Sequence, residues 1–165
     1  MTERLNDDNK IKIKIYSMTT RKPRRIQKRQ NKTVKKQETL NAQKSRLVKT
    51  FFEILHTIKL YHWKTKSYSE HQTTDELHEK LSLQTDNFIE VLMGKTSSRI
   101  NMVEHTITLY DFDNKYDFKH KLFEFRQFLV DLDRIFSPKK NTDLLTIRDE
   151  MLVSVNRFLY MSTLA

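Results

Sequence analysis

The chain has no cysteine, one glycine and two prolines in 165 residues. Without cysteine there is no disulfide framework, zinc ribbon or thiol nucleophile. A single glycine leaves no Walker loop, dinucleotide fingerprint or nucleophile elbow, each of which needs glycine at several fixed positions. Sandwiches and barrels also need many turn residues, so the scarcity of both glycine and proline favours few, long helices. No apolar run approaches the roughly 18–20 residues of a membrane helix. The first residues are polar and acidic, with no apolar signal region. The expected setting is therefore intracellular: cytoplasm, nucleoid, nucleus or a virion.

What is abundant is positive charge, and it is unevenly placed. Residues 1–46 hold 15 Lys/Arg against four Asp/Glu, a net of +11, while residues 47–165 carry a net of −1. Residues 10–36 contain 12 basic and no acidic side chains. The expected organisation is a basic, disordered arm over 1–45 and a four-helix domain over 46–165. Apolar residues in the arm are too sparse to form a helix face. The alternation Lys10-Ile11-Lys12-Ile13-Lys14-Ile15 is strand-like but has no hairpin partner.

From Arg46 the pattern turns helical. Val48, Phe51, Phe52, Leu55, Ile58 and His62 recur at three- and four-residue spacing and predict a first helix over about 45–64. A polar loop over 65–72 follows, then Thr73 as N-cap with Glu76 completing a capping box. The second helix buries Leu77, Leu81, Phe88 and Leu92 and stops at Gly94. Residues 95–115 form one long connection. A third helix over about 116–136 is marked by Phe118, Leu122, Phe125, Leu129, Leu132 and Phe136 and ended by Pro138. Asn141 or Thr142 then caps a fourth, with Leu145, Leu152, Val155, Phe158 and Leu159 inward. Two short turns around one long crossover give the connectivity of a ferritin-like bundle.

The second helix also carries a polar stripe, His71, Asp75, Asp86 and Glu90, at spacings of four, eleven and four. At about 100° per residue these side chains stay on one flank, roughly opposite Leu77, Leu81 and Phe88. They point away from their own core. Such a stripe is either a solvated face or half of a metal site completed by a second chain. Imidazole with carboxylates suits iron, and His62 lies on the apolar side of the first helix.

Tyr61-His62-Trp63, a short loop, then His71-x3-Asp75-x10-Asp86-x3-Glu90 resembles the ferroxidase signature of the Dps mini-ferritins. The chain is also similar to ferritin-like hypothetical proteins of large DNA viruses. The Dps resemblance implies that His62, His71 and Asp75 come from one chain and Asp86 and Glu90 from its two-fold partner. It further implies iron as the bound metal, oxidation of Fe(II), and a hollow homo-oligomeric shell, typically of twelve subunits. The stretch from His62 to His71 is three residues shorter than is usual in that family and lacks its glycine.

Competing sites are thin. An intra-bundle di-iron centre needs two Glu-x-x-His motifs with further glutamates, and Glu53-Ile-Leu-His56 is the single match. In the arm, Arg21, Lys22, Arg24, Arg25, Lys28, Arg29, Lys32, Lys35 and Lys36 form a block suited to polyanions such as nucleic acid, bound through phosphates without sequence readout. The same block would serve as an import signal or dock on an acidic protein. An alternative function is a non-enzymatic DNA-binding protein of nucleoid or virion, whose bundle only oligomerises.

Overall fold

The computed structural model describes residues 24–164, with side chains described from Thr39 onward. The chain divides into two units, Met1–Lys36 and Gln37–Ala165, and the fold below is that of the second. The described helices are α1 (Arg24–Lys64), of which residues 37–64 belong to the second unit, α2 (Tyr68–Thr96), α3 (Lys115–Asp131) with a 3₁₀ turn at Leu132–Arg134, and α4 (Thr142–Met161). No strand occurs among the described residues. None of their helices is long and apolar enough to cross a membrane.

The four expected helices are present; their boundaries differ in instructive ways. α1 begins at Arg24, so residues 24–45, expected to be disordered, are helical, and residues 1–23 lie outside the described part. Residues 24–44 hold no glycine or proline and are rich in Lys, Arg and Gln, which lose little freedom in a helix. Propensity was sufficient where an apolar stripe was missing. α2 starts five residues before Thr73, because Ser67 is the N-cap and accepts from the Glu70 N–H at 3.4 Å. Thr73 is interior to the helix and its hydroxyl donates to Ser69 O. Gly94 is also interior, and a Cβ there would meet nothing within 4 Å. The left-handed C-cap is Ser97, at φ 46.

Helix directions follow from the contacts at each end. The loop over 65–67 makes α1 and α2 antiparallel. The connection over 97–114 contains no helix and runs beside α1 from Ser45 to Lys64. Val103 N–H donates to Ser45 Oγ at 2.9 Å, Thr108 N–H to Glu53 Oε1 at 2.9 Å, and Lys64 pairs with Asp111 at 2.7 Å. α3 therefore starts beside the start of α2, where Lys115 pairs with Glu70 at 3.0 Å. α4 starts at the opposite end, where Asp143 meets Lys95 at 2.8 Å. The result is α2 and α3 parallel, with α1 and α4 running the other way.

The core is aromatic at its centre. Phe51 on α1 is fully buried and meets Phe88, Phe125 and Phe128 edge-on, at centroid distances of 5.7, 6.2 and 6.0 Å. Each such ring removed from water contributes about 1.5–3 kcal/mol, and edge-to-face contact adds about 0.5–1.5 kcal/mol. The true inward face of α1 is Leu47, Phe51, Ile54, Ile58 and Tyr61. Phe52, expected inside, is 44% exposed, and Leu55 only packs against the edge of the core.

Two buried cations cap helix C-termini at one end of the bundle. Lys44, 2% exposed, donates to Thr96 Oγ1, Ser98 O (3.1 Å) and Ser98 Oγ (2.7 Å), anchoring the start of the crossover at the negative end of α2. Burial pushes its pKa down. Arg148 reaches Leu129 O at 3.0 Å and Asp133 at 2.8 Å, satisfying the carbonyl end of α3.

Candidate metal centre

The last turn of α1 and the first turns of α2 bring two histidines face to face. The short connection does not separate them. Because the loop is only residues 65–67, His71 sits on the first turn of α2, directly against His62. Their rings stack at 3.9 Å with an interplanar angle of 21°. His62 Nδ1 lies 2.9 Å from His71 O, and His71 Nδ1 lies 3.0 Å from His62 O. A carbonyl oxygen only accepts, so both Nδ1 atoms carry the proton when the rings are neutral. Both Nε2 atoms are left as lone pairs. Imidazoles oriented by a backbone carbonyl in this way are the common arrangement of metal-binding histidine.

Asp75 follows His71 by one turn, on the same flank. Its Oδ1 is 3.6 Å from His62 Nε2 and 2.9 Å from Lys59 Nζ. The hydrogen bond from Lys59 holds the Asp75 carboxyl below its ordinary pKa against the opposing effect of burial, and the charge of Lys59 adds to the lowering. His62 is buried, His71 is exposed and Asp75 is half-buried, so the cluster opens to the outside.

The two remaining stripe residues are not brought to this cluster in the same chain. Asp86 stands eleven residues, ~16 Å of helix rise, further along α2. It is exposed and lines a groove of about 810 Å³ between α1 and α2, with Phe52, Leu55, His78 and Leu83. Glu90 is exposed near Ser97, Ser98 and Arg99. Among the described residues no group of three His, Asp or Glu is arranged to hold a metal within one chain.

Three neighbours escaped the sequence pattern. Lys59 precedes His62 by three positions on α1, a spacing that places it one turn back on the same flank. His78 follows Asp75 by three on α2. Burial, then the charge of Lys59, lowers its pKa. Glu70 is held by Tyr61 Oη (2.8 Å), Thr65 Oγ1 (2.8 Å) and Lys115 (3.0 Å). That knot ties α1, α2 and α3 together. It pushes the Tyr61 phenol strongly up, through burial first and the Glu70 hydrogen bond second.

Of the basic residues singled out in the N-terminal segment, Arg24, Arg25, Lys28, Arg29, Lys32, Lys35 and Lys36 lie on the helical backbone of α1, with undescribed side chains; Arg21 and Lys22 lie outside the described residues.

Residues 62–161 match the model of one protein family; the match begins at the first of the two stacked histidines and runs through α2, α3 and α4. No curated protein matches the chain. No solved structure matches it.

Proposed function

The chain belongs to a family of unknown function (DUF5856), and since that membership assigns no activity we propose, from the geometry, a ferritin-like iron-binding protein of the Dps kind. In this reading it oxidises Fe(II) at a site shared by two copies and binds DNA non-specifically through its basic N-terminal segment. One observation carries the reading. The reciprocal His62–His71 pair leaves two imidazole lone pairs beside an ionised Asp75, on the outer flank of the bundle.

The donor types, imidazole and carboxylate, suit a metal. With bonds of about 2.0–2.2 Å, neighbouring ligands of one ion stand about 2.8–3.1 Å apart in an octahedral site and about 3.3–3.6 Å in a tetrahedral one. His62 Nε2 and Asp75 Oδ1, at 3.6 Å, need a shift of only a few tenths of an ångström. One chain is short of ligands, and the spacing of α2 suggests how a second supplies them. His71 with Glu90, and Asp75 with Asp86, are each centred between Lys80 and Leu81. Two α2 helices packed antiparallel about a dyad at that point set His71 level with Glu90 of the second copy, and Asp75 level with its Asp86. Leu83, 73% exposed, then meets His78 of the other copy and the groove beside Phe52, supplying apolar burial. Iron here is substrate: Fe(II) gives one electron to an external oxidant and becomes Fe(III).

The parallel α2 and α3 joined by a crossover along α1 support the ferritin-like description. The net +11 over residues 1–46 supports a polyanion partner, each neutralised phosphate adding about 0.9 to the salt slope. The decisive experiment adds Fe(II) anaerobically to wild type and to His71→Ala/Asp75→Ala, and measures bound metal before and after oxidation. Stoichiometric uptake by wild type and none by the variant is expected; equal uptake by both ends the reading. A second reading, an architectural DNA-binding protein, is favoured by the Lys59–Asp75 pair, which satisfies the carboxylate without metal. It expects DNA compaction that depends on the N-terminal segment and ignores Asp75.

A further inference from the structure

The helical backbone gives the N-terminal basic block a geometry. Residues 24–36 are helical, and about 100° per residue fixes the angular place of each position. Arg24, Lys28, Lys32 and Lys35 fall within an arc of about 80°, and Arg25, Lys36 and Arg29 widen it to about 140°. Ile26, Gln27, Gln30, Asn31, Thr33 and Val34 take the opposite arc, and none of them is charged. Every basic position of the stretch is on one face. Such a stripe opposes its own helix. Arg24 with Lys28, Arg25 with Arg29, Lys28 with Lys32, and Lys32 with Lys36 are like-charged pairs one turn apart. A row of anions laid along that face turns the repulsion into attraction.

We infer that residues 24–36 bind duplex DNA as a helix, with the basic face laid along the phosphates that border one groove. The inference rests on the DNA-binding part of the reading above, and replaces a loose charge tether with an ordered ridge. Twelve steps of about 1.5 Å make the ridge about 18 Å long, the span of about five base pairs at 3.4 Å each. A helix of about 10–12 Å diameter matches the major groove of B-form DNA, about 12 Å wide. The deep, narrow major groove of duplex RNA does not admit it. No aromatic residue lies in 24–36 to stack on unpaired bases, so single strands are disfavoured too. Gln27, Gln30 and Asn31, residue types that read adenine, hold positions on the opposite arc, which leaves phosphates rather than base edges as the target.

The test keeps the composition and moves the charge. Lys28→Gln/Lys32→Gln/Gln27→Lys/Gln30→Lys leaves the net charge of the full-length chain unchanged, and Lys and Gln have similar helix propensity. Two cations then stand on the uncharged face. Binding to a fluorescent DNA duplex of mixed sequence is measured by anisotropy across a salt series, with circular dichroism as a check on helix content. The expected result is binding about tenfold weaker near 0.1 M salt, with a log–log salt slope smaller by about 1.8, the share of two phosphates. Wild type is expected to hold the DNA duplex more tightly than the same sequence as duplex RNA or as a single strand. A swapped variant that binds like wild type, or RNA held as tightly as DNA, overturns the inference. A variant with all seven basic positions of 24–36 changed to Gln is run beside it. If that variant binds DNA as wild type does, DNA binding through this segment fails and the helical face with it. If it loses DNA while the swapped variant does not weaken, only the helical face fails.

Discussion

Glu70 and Asp75 lie five residues apart on α2, and their surroundings differ in kind. Glu70 is largely buried and receives hydrogen bonds or ion pairs from Tyr61, Thr65 and Lys115, drawn from α1, the loop and α3. Asp75 is half exposed and has one cation and a bare imidazole nitrogen beside it. One carboxylate has its bonding capacity spent on holding three elements together. The other keeps capacity in reserve at the surface. A satisfied buried charge belongs to the fold, and an incompletely coordinated one beside oriented imidazoles is available for chemistry.

That contrast is open to experiment. The largest effect expected is on metal binding. Asp75→Ala lowers Zn²⁺ affinity by at least about a hundredfold, a loss beyond that of outer-shell partners, whereas Glu70→Ala changes it little; equilibrium dialysis of both variants decides. The second concerns assembly. Leu83→Asp places a charge on the exposed apolar ridge of α2 and reduces native mass, read by light scattering, to the 20.0 kDa monomer with concomitant loss of metal. A variant that stays assembled removes the dyad.

Stability should reverse the ranking of the two carboxylates. Glu70→Ala strands the buried Tyr61 hydroxyl, and should cost about 1–3 kcal/mol in urea unfolding. Asp75→Ala removes an exposed pair worth about 0–1 kcal/mol. The smallest effect is on pH. Burial works to raise the Glu70 pKa, but Lys115, Tyr61 and Thr65 outweigh it and leave it lowered from 4.5. A folded pKa below the unfolded one stabilises above the unfolded value and is lost as pH falls through the folded one. Unfolding free energy should therefore be flat from pH 7 to about 5 and decline below about 4.5, with Glu70→Gln flattening that decline more than Asp75→Asn.

Much of the fold was readable from periodicity. Leu77, Leu81, Phe88, Phe118, Leu122 and Phe125 recur at helical spacing and all are buried. Where two apolar faces overlapped, as at Phe51 and Phe52, spacing alone did not say which was inward, because a helix offers both and only the neighbouring helices choose. The cap at Ser67 was missed because Ser67 and Glu70 form the same Ser/Thr-x-x-Glu pattern as Thr73 and Glu76. Three residues suffice to turn the chain, so the earlier pattern is the one that caps.

The sequence by itself determined the helical class, the number of helices in the bundle and the outward stripe of α2, since these follow from local spacing and from the near absence of glycine and proline. Only the tertiary structure decided that His62 and His71 lock each other's Nδ1 atoms, that Lys59 occupies Asp75, and that Glu70 is spent on Tyr61 and Lys115. Those are meetings between α1, the loop and the starts of α2 and α3. Their geometry depends on how tightly the chain turns at 65–67, which no periodicity within a single helix records.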